Sequence, residues 1–353
     1  MNILFDAEIM NGTFVGIAKS LYYLYSNCHR MDNSFHAFGF NSNQEMEYHR
    51  DGITLIGRKD RRELEAFAKE KRISIVHYPA NFITRPILSG LKIVLTLHDL
   101  IPYEEKDTFP RLLQRIKYLA ITYYGLRKAD LVTTVSEYSR QSIMAFSGST
   151  VSPLVLHWGV TLPGAYSKER VIDDNYFLYV GGYDKRKGID RLVGAFLEMK
   201  RRGLTGCKLV LTGQPRLLND GTDETIRAGV KEGHIIQTGY VDDEKLCSLY
   251  ANAVCAVYLS KSEGFGLPLI EAMKCGCPVI TTEKTSLPEI GGNAACYVDR
   301  DSRDQIIQSL IRMERDSAFR NACIQSGTAN LARFDWDVSA NRFLDALRRL
   351  ADK

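Results

Sequence analysis

Short apolar runs rich in β-branched and aromatic residues alternate along this chain with segments whose apolar positions recur every three to four residues. The first pattern predicts buried strands, and the second predicts amphipathic helices. The predicted strands are Ile3–Phe5, Phe35–Phe38, Ile53–Ile56, Ile75–Tyr78, Ile93–Leu97 and Leu131–Val135 in the first half, and Phe177–Val180, Lys208–Leu211, Ile235–Thr238, Val254–Leu259, Val279–Thr282 and Ala294–Val298 in the second. Because strands alternate with helices throughout, we expect parallel α/β sheets covered by helices.

The number and placement of the strands predict two domains. A chain of 353 residues is longer than one core usually spans. Two sets of about six strands suit two doubly wound, Rossmann-like domains better than one barrel. We place the domains at residues 1–165 and 175–335, on either side of the polar segment Ser167–Asn175. Residues 336–353 form a predicted terminal helix, because their apolar side chains fall on one helical face.

Composition narrows the class of protein. A net charge of +4 is too small to indicate a nucleic-acid partner. The eight cysteines include no C-x-x-C pair, and no histidine cluster has zinc spacing, so we expect no metal site and a reduced, cytoplasmic protein. The segment Met1–Asp6 reaches a charge too early for a signal peptide, and no apolar run approaches the ~18 residues of a membrane span. Any membrane contact is expected to be peripheral.

The segment with the strongest chemical signal is Glu263-Gly-Phe-Gly-Leu-Pro-Leu-Ile-Glu271, which follows a predicted strand and begins a helix. Pro268 suits the first helical position, where its missing N–H is not needed. The glycine loop and the positive helix terminus therefore predict an anion site. Glu263 on the loop and Glu271 in the first turn are carboxylates able to accept bonds from vicinal sugar hydroxyls. Taken alone, both glutamates could instead be ordinary solvated or dipole-compensating residues.

This nonapeptide resembles the E-x7-E signature of the retaining glycosyltransferases of the GT-B fold, family four (glycosyl transferases group 1, mannosyltransferase-like). The resemblance implies that Glu263 contacts the donor sugar and that Glu271 binds the nucleotide ribose. It places Phe265, Gly266 and Leu267 beside the donor sugar and phosphate. It also implies two Rossmann-like domains that face a cleft, with the terminal helix crossing back onto the acceptor-binding first domain.

A basic loop follows the first strand of the second half, in Tyr179-Val-Gly-Gly-Tyr-Asp-Lys-Arg-Lys187-Gly188. Three cations beside a helix start could neutralise a diphosphate, or they could form a solvated basic loop. The segment resembles the phosphate-binding turn of the same family, in which a lysine and an arginine hold the donor diphosphate. The resemblance assigns these roles to Lys187 and Arg186, with Gly182 standing where the family often has its arginine.

The segment Ile235–Leu246 resembles the part of the family whose backbone holds the nucleobase, with Tyr240 and Val241 beside the base. Without the resemblance, Tyr240 would be read as a core aromatic residue. Asp242 is a predicted N-cap of the following helix.

In the first half, a loop with Gly12 and Gly16 joins the first strand to the first helix, where open α/β sheets bind ligands. It resembles the family's N-terminal glycine loop, which faces the donor phosphate and the acceptor. His98 and Asp99 follow another strand; the resemblance places His98 against the donor hexose, with Asp99 as a possible orienting group. Alternatively, His98 is a structural residue whose ring is hydrogen-bonded within the protein. A hydrolase dyad is not indicated, because the chain has no nucleophilic serine elbow.

Family resemblance implies retaining, metal-independent transfer of a hexose, with no cofactor besides a GDP-, UDP- or dTDP-linked sugar. We expect mannose from GDP-mannose to be moved to a glycan or lipid-linked acceptor in surface polysaccharide (lipopolysaccharide) biosynthesis. The alternatives are a nucleotide-sugar epimerase of the same fold and a catalytically silent nucleotide-sugar-binding scaffold. The predicted helix 109–128 carries several lysines and arginines and could rest on the anionic inner leaflet, or it could be an ordinary helix with a solvated basic face.

Overall fold

The computed structural model describes residues 1–11, 16–40, 47–57, 59–83, 88–105, 112–164, 167, 169–215, 218 and 221–352. The chain divides into two compact units. The first contains Met1–Thr161 together with Asp335–Lys353, and the second contains Leu162–Phe334. The first crossing between the units lies between Thr161 and Leu162, a few residues before residue 165, where the sequence places the end of the first domain.

The first unit is built on an eight-stranded sheet in the order β3-β4-β2-β1-β5-β6-β7-β8. Its strands are β1 (Asn2–Asp6), β2 (His36–Phe40), β3 (Glu47–Arg50), β4 (Ile53–Ile56), β5 (Ile75–Tyr78), β6 (Lys92–Thr96), β7 (Leu131–Thr134) and β8 (Leu154–Val155). Its helices before the crossing are α1 (Ile17–Met31), α2 (Arg61–Glu70), α3 (Ile101–Glu104), α4 (Leu112–Lys128) and α5 (Glu137–Phe146), with a 3-10 turn at Glu8–Met10. All six strands predicted here are confirmed. Only the β3–β4 pair is antiparallel among the described strand pairs.

The second unit has a six-stranded sheet, all parallel, in the order β11-β10-β9-β12-β13-β14. Its strands are β9 (Tyr176–Val180), β10 (Lys208–Thr212), β11 (Ile235–Gly239), β12 (Cys255–Tyr258), β13 (Val279–Thr281) and β14 (Ala295–Tyr297). Its helices are α6 (Ile189–Arg201), α7 (Thr222–Lys231), α8 (Asp243–Asn252), α9 (Leu267–Lys274), α10 (Leu287–Gly291), α11 (Arg303–Arg315) and α12 (Ser317–Asn330), and its 3-10 turns are Lys185–Lys187, Gly292–Ala294 and Leu331–Arg333. The six predicted strands are again confirmed.

The terminal helix α13 (Trp336–Ala351) belongs to the first unit, as predicted. It packs against α1, and its residues Phe343, Leu344 and Leu347 are buried in the core that lies on one face of the eight-stranded sheet. At its start, the Trp336 indole N–H donates to the carbonyl of Val160 at 3.1 Å. This bond holds the start of α13, where the chain returns to the first unit, next to Val160, which lies just before the point where the chain leaves that unit.

The cysteines behave as small apolar residues of the two cores. None of the eight forms a disulfide; seven are buried, and Cys296 is half-buried. Within the described ranges, no helix is both long and apolar enough to cross a membrane.

Candidate active site

The predicted site residues of the second unit gather at the carboxyl ends of its parallel strands. The sheet order runs outward in both directions from the β9–β12 pair, which makes this pair the topological switch point where open α/β sheets bind ligands. The basic turn Lys185–Lys187 follows β9, and the loop that carries Glu263 follows β12. The Arg186 guanidinium bonds to the Glu263 carboxylate at 2.8 Å, so the two segments meet at this edge.

The Glu263 carboxylate has one anchored oxygen and one open oxygen. Its Oε1 accepts hydrogen bonds from Arg186 Nη1 at 2.8 Å, Tyr258 Oη at 2.7 Å and Ser260 Oγ at 2.8 Å. No described residue donates to Oε2, and the side chain is 15% exposed. A carboxylate held in this way has a fixed orientation and presents one acceptor to a ligand.

The loop that carries Glu263 is fastened from the turn after β13. The Glu263 N–H donates to Thr285 Oγ1 at 3.0 Å. The Ser286 hydroxyl lies 2.9 Å from the Glu263 carbonyl and 2.7 Å from that of Phe265. The Phe265 ring is buried and meets Phe334 edge-on, with centroids 5.9 Å apart. The loop is therefore held in place by hydrogen bonds and ring packing within the second unit.

Helix α9 begins one residue earlier than the sequence indicated. Gly266, with φ +116°, is its N-cap, so Leu267 is the first helical residue and Pro268 the second. Glu271 is consequently the fifth residue, and its predicted place in the first turn is wrong. The first turn has no acidic residue, which leaves the positive end of the helix uncompensated by its own side chains.

Arg186 and Lys187 in the basic turn have different partners, although the sequence assigns both of them to the donor diphosphate. Arg186 is committed to Glu263 and to the carbonyl of Ser262. The Lys187 ammonium lies 5.9 Å from the Tyr258 ring centroid, and no carboxylate of the described residues pairs with it. Gly188 allows the turn to approach β12, because a Cβ there would lie 2.4 Å from the Leu259 carbonyl oxygen. Lys187 is thus the cation with charge to spare for an anionic ligand. Gly182, in the loop after β9, has open space where a Cβ would stand.

Arg300 supports this turn and was missed by the sequence reasoning. It is 7% exposed and donates to the carbonyls of Arg186 at 3.0 Å and Lys185 at 3.1 Å. A signal was available, because Arg300 comes just after the strand predicted at Ala294–Val298 and hence at the same sheet edge.

The segment after β11 presents its aromatic residue to solvent. Tyr240 is 57% exposed, so its interpretation as a core aromatic residue is wrong. Val241 is half-buried. Asp242 accepts the N–H of Lys245 at 2.8 Å, which confirms it as the N-cap of α8.

In the first unit, His98 has one satisfied and one unsatisfied ring nitrogen. Its Nε2 lies 2.6 Å from the Pro79 carbonyl, which can only accept, so Nε2 carries the proton. Its Nδ1 is buried without a partner among the described residues, and the ring packs against Trp158. Burial lowers the pKa of His98 to about 4, so the imidazole is neutral. Nδ1 is therefore an oriented acceptor.

The structure corrects one proposed role near His98. The Pro79 carbonyl, rather than Asp99, orients the ring. The Asp99 carboxylate instead accepts the N–H of Ile101 at 3.1 Å at the start of α3. Gly16, at φ +54°, is the N-cap of α1, and Gly12 lies outside the described residues.

The buried neutral state of His98 predicts a pH-dependent stability. Its pKa falls from the ordinary 6.5 to about 4 on folding, so between these values the unfolded chain binds a proton that the folded chain does not, and stability decreases as pH falls. Between about pH 7.5 and pH 5, this one group lowers the free energy of unfolding by roughly 2 kcal/mol. A His98→Gln variant should lose that much less stability over the same interval, measured by urea unfolding at both pH values. An equal loss in parent and variant would contradict the assignment.

No group of three or more His, Cys, Asp or Glu side chains among the described residues is arranged to hold a metal ion.

Both halves of the chain match known sequence families. Residues 166–330 match the family Glycosyl transferases group 1, and residues 16–160 match Glycosyltransferase Family 4. O-antigen chain mannosyltransferase B of Escherichia coli is 30% identical over 270 residues, which cover 73% of this chain and 70% of that protein. Serotype-specific mannosyltransferase WbdA of Escherichia coli is 26% identical over 73% of this chain, but the match covers only 34% of that longer protein.

Solved structures agree with the two-unit architecture. Sucrose-phosphate synthase from Thermosynechococcus elongatus superposes with a TM-score of 0.78 over 99% of both chains, at 18% sequence identity. At this identity the likeness concerns the fold alone. Together with the family matches across both halves, it shows that this chain belongs to the family-four, group 1 glycosyltransferases and has the GT-B fold.

Proposed function

We propose that this protein is a retaining glycosyltransferase that moves a hexose, with mannose from GDP-mannose as the first candidate, to a glycan or lipid-linked sugar in surface polysaccharide biosynthesis. The observation that carries the proposal is the Glu263 carboxylate, whose Oε1 is held by three donors and whose Oε2 receives no hydrogen bond from the described residues. It lies at the same sheet edge as Lys187, for which the described part of the chain offers no carboxylate partner. Relatives named as O-antigen chain and serotype-specific mannosyltransferases support mannose and the polysaccharide pathway.

Segments that follow different strands bind different parts of the nucleotide-sugar donor. Lys187 and the N-terminus of α9 bind the diphosphate, with Gly182, Gly266 and Leu267 giving the backbone room to approach it. Glu263 Oε2 accepts a hydrogen bond from a hydroxyl of the hexosyl group. A larger set completes the donor contacts: Arg186 beside the diphosphate, Phe265 in the sugar loop, Glu271 at the ribose, and Tyr240 and Val241 at the base.

His98 is proposed as a further contact of the donor hexose. Its neutral ring keeps Nδ1 as an acceptor at all pH values well above 4. A buried acceptor without a protein partner is costly, and a sugar hydroxyl that donates to Nδ1 removes this cost.

Glu263 acts as a positioning group rather than a covalent nucleophile. Three hydrogen bonds to Oε1 stabilise the negative charge of the carboxylate and so weaken it as a nucleophile. In the proposed step, the bond from the anomeric carbon to the diphosphate oxygen breaks, and the acceptor oxygen bonds to that carbon on the same face. The acceptor proton passes to the leaving phosphate, whose charge Lys187 and the helix terminus stabilise. No dedicated metal takes part in this scheme.

The function is tested first by nucleotide binding. Thermal unfolding is followed with GDP, UDP, dTDP and ADP, each with and without its common sugars. A ligand that binds only the folded state adds about 2.7 kcal/mol at a hundredfold excess over its Kd. The donor so identified is then supplied with candidate acceptors, and the anomeric configuration of the product is read by NMR. A protein that binds no nucleotide, or that converts the donor without an acceptor, would contradict the proposal.

We further propose that helix α4 rests on an anionic membrane leaflet. Three large apolar side chains near its start are exposed: Leu112, Leu113 and Ile116 are 68%, 79% and 53% exposed. Exposed lysines and arginines lie on the same helix, namely Lys117, Arg127 and Lys128. Apolar side chains bordered by cations suit the boundary between lipid headgroups and acyl chains. Such contact brings the enzyme to a lipid-linked acceptor.

A Leu113→Glu/Ile116→Glu variant is expected to lose vesicle binding. Burying each apolar side chain in the interface contributes about 1.5–3 kcal/mol, so binding should fall by at least about tenfold. The measurement is co-sedimentation with phosphatidylcholine vesicles that contain phosphatidylglycerol. Val230→Glu/Val338→Glu makes the same charge change at two exposed valines elsewhere and is the matched control. Equal binding by the two variants would refute the proposed contact.

A further inference from the structure

The backbone of Thr285 is strained, because a threonine occupies a positive-φ position that a turn would normally fill with glycine or asparagine. Among the described residues, five other than glycine have positive φ: Asp51, Arg72, Asn81, Ser149 and Thr285. Thr285, at φ +52°, is the only β-branched one of the five. A β-branched side chain is a real outlier in the left-handed region, where glycine or asparagine fits far better. Such strain persists where surrounding contacts impose it, commonly at functional sites.

The contacts that impose this conformation come from the loop that carries Glu263. Thr285 Oγ1 accepts the Glu263 N–H at 3.0 Å. The neighbouring Ser286 hydroxyl bonds to the Glu263 and Phe265 carbonyls. Two adjacent side chains of the turn between β13 and α10 are therefore hydrogen-bonded to the loop that carries Glu263, and Thr285 lies beside Glu263.

The hydroxyl of Thr285 still has a proton to donate. Its oxygen uses a lone pair on the Glu263 N–H, and the hydroxyl makes no hydrogen bond as a donor to any residue in the described part of the chain. The side chain is half-exposed. Glycine would serve the backbone, so the hydroxyl is the feature that explains a threonine at this position.

Resting on the proposed function, we propose that Thr285 is a donor-sugar contact that donates its hydroxyl proton to a hydroxyl oxygen of the hexosyl group. Glu263 Oε2 is a pure acceptor and the Thr285 O–H is a donor, and hydrogen bonds to Glu263 itself hold both groups. Sugar hydroxyls both donate and accept, so this pair is complementary to two hydroxyls of one ring. Thr285 thus determines affinity for the sugar and not for the nucleoside diphosphate.

The test compares Thr285→Gly with Thr285→Ser. Kd values for the nucleoside diphosphate alone and for the nucleotide-sugar are measured by calorimetry, with thermal unfolding and kcat and KM beside them. Thr285→Gly relieves the strain, so we expect it to unfold at no lower temperature than the parent and to bind the diphosphate equally well. Its affinity for the nucleotide-sugar should fall by about tenfold. Thr285→Ser returns the hydroxyl and should recover most of that loss.

Two results would overturn the role of Thr285 alone. One is a Thr285→Gly protein that keeps the parent's nucleotide-sugar affinity, because Thr285 would then only shape the turn. The other is a Thr285→Ser protein as impaired as Thr285→Gly, because the hydroxyl would then be irrelevant. A parent protein that binds no nucleoside diphosphate overturns the proposed function and the role of Thr285 with it. The Kd for the nucleoside diphosphate alone therefore distinguishes a failure of the proposed function from a failure of the role of Thr285.

Discussion

Glu263→Gln is expected to lower kcat/KM for hexosyl transfer by about 10²- to 10³-fold, the range found when one preorganised polar group of an active site is removed. Glutamine keeps the size of the side chain, and its amide oxygen can still accept from Tyr258 and Ser260. It loses the ion pair with Arg186 and replaces the open acceptor Oε2 with an NH2 donor. The measurement is steady-state kinetics with the identified donor, with thermal unfolding to show that the variant is folded.

Glu283→Gln is the matched control for this substitution. Glu283 is exposed and lies in the segment between β13 and Thr285, so its replacement removes the same charge from the same part of the unit. We expect its kcat/KM to stay close to that of the parent. A Glu263→Gln enzyme as active as the control would remove Glu263 from the site.

Lys187→Met should weaken nucleoside diphosphate binding by roughly 10- to 150-fold, because a hydrogen bond to a charged group contributes about 1.5–3 kcal/mol. Lys187 has no carboxylate partner among the described residues, so its whole charge is available to the diphosphate. Arg186 shares its charge with Glu263. Binding is measured by calorimetry at two salt concentrations, since a direct contact is screened less than a distant charge.

Lys185→Met provides the comparison, because it removes the same charge from the same 3-10 turn but from an exposed side chain. It should weaken binding far less than Lys187→Met. Equal losses that disappear together at high salt would mean that the turn acts only through its overall field, and the specific role of Lys187 would be lost.

Strand periodicity predicted most of the fold because each of the twelve predicted strands contains a short run rich in apolar residues, and most of these runs are buried. Among the described residues it missed two strands, and neither of them is such a run. Strand β3 is Glu-Tyr-His-Arg at the sheet edge, paired antiparallel to β4, and β8 has only two residues. Neither segment contains a run of apolar residues long enough to give a periodic signal.

The site was predictable where a single segment carries the chemistry, as in the loop from Glu263 to Leu267. It was not predictable where side chains distant in sequence meet. The pairing of Arg186 with Glu263, the support of the basic turn by Arg300, and the strain at Thr285 arise only when β9, β12, β13 and β14 lie in one sheet. The Pro79 carbonyl that orients His98 is of the same kind, because backbone acceptors leave no mark in a sequence.

Helix α13 also determines the order in which the protein can take shape on the ribosome. The core of the first unit needs Phe343, Leu344 and Leu347, and these are made only after the whole of residues 162–334. At ~5–20 residues per second, the apolar face of α1 waits roughly 15 to 60 s for its partner. The second unit is continuous in sequence and has no such delay. During that interval we expect the nascent first unit to expose this apolar surface, which is the kind of surface that chaperones bind during translation.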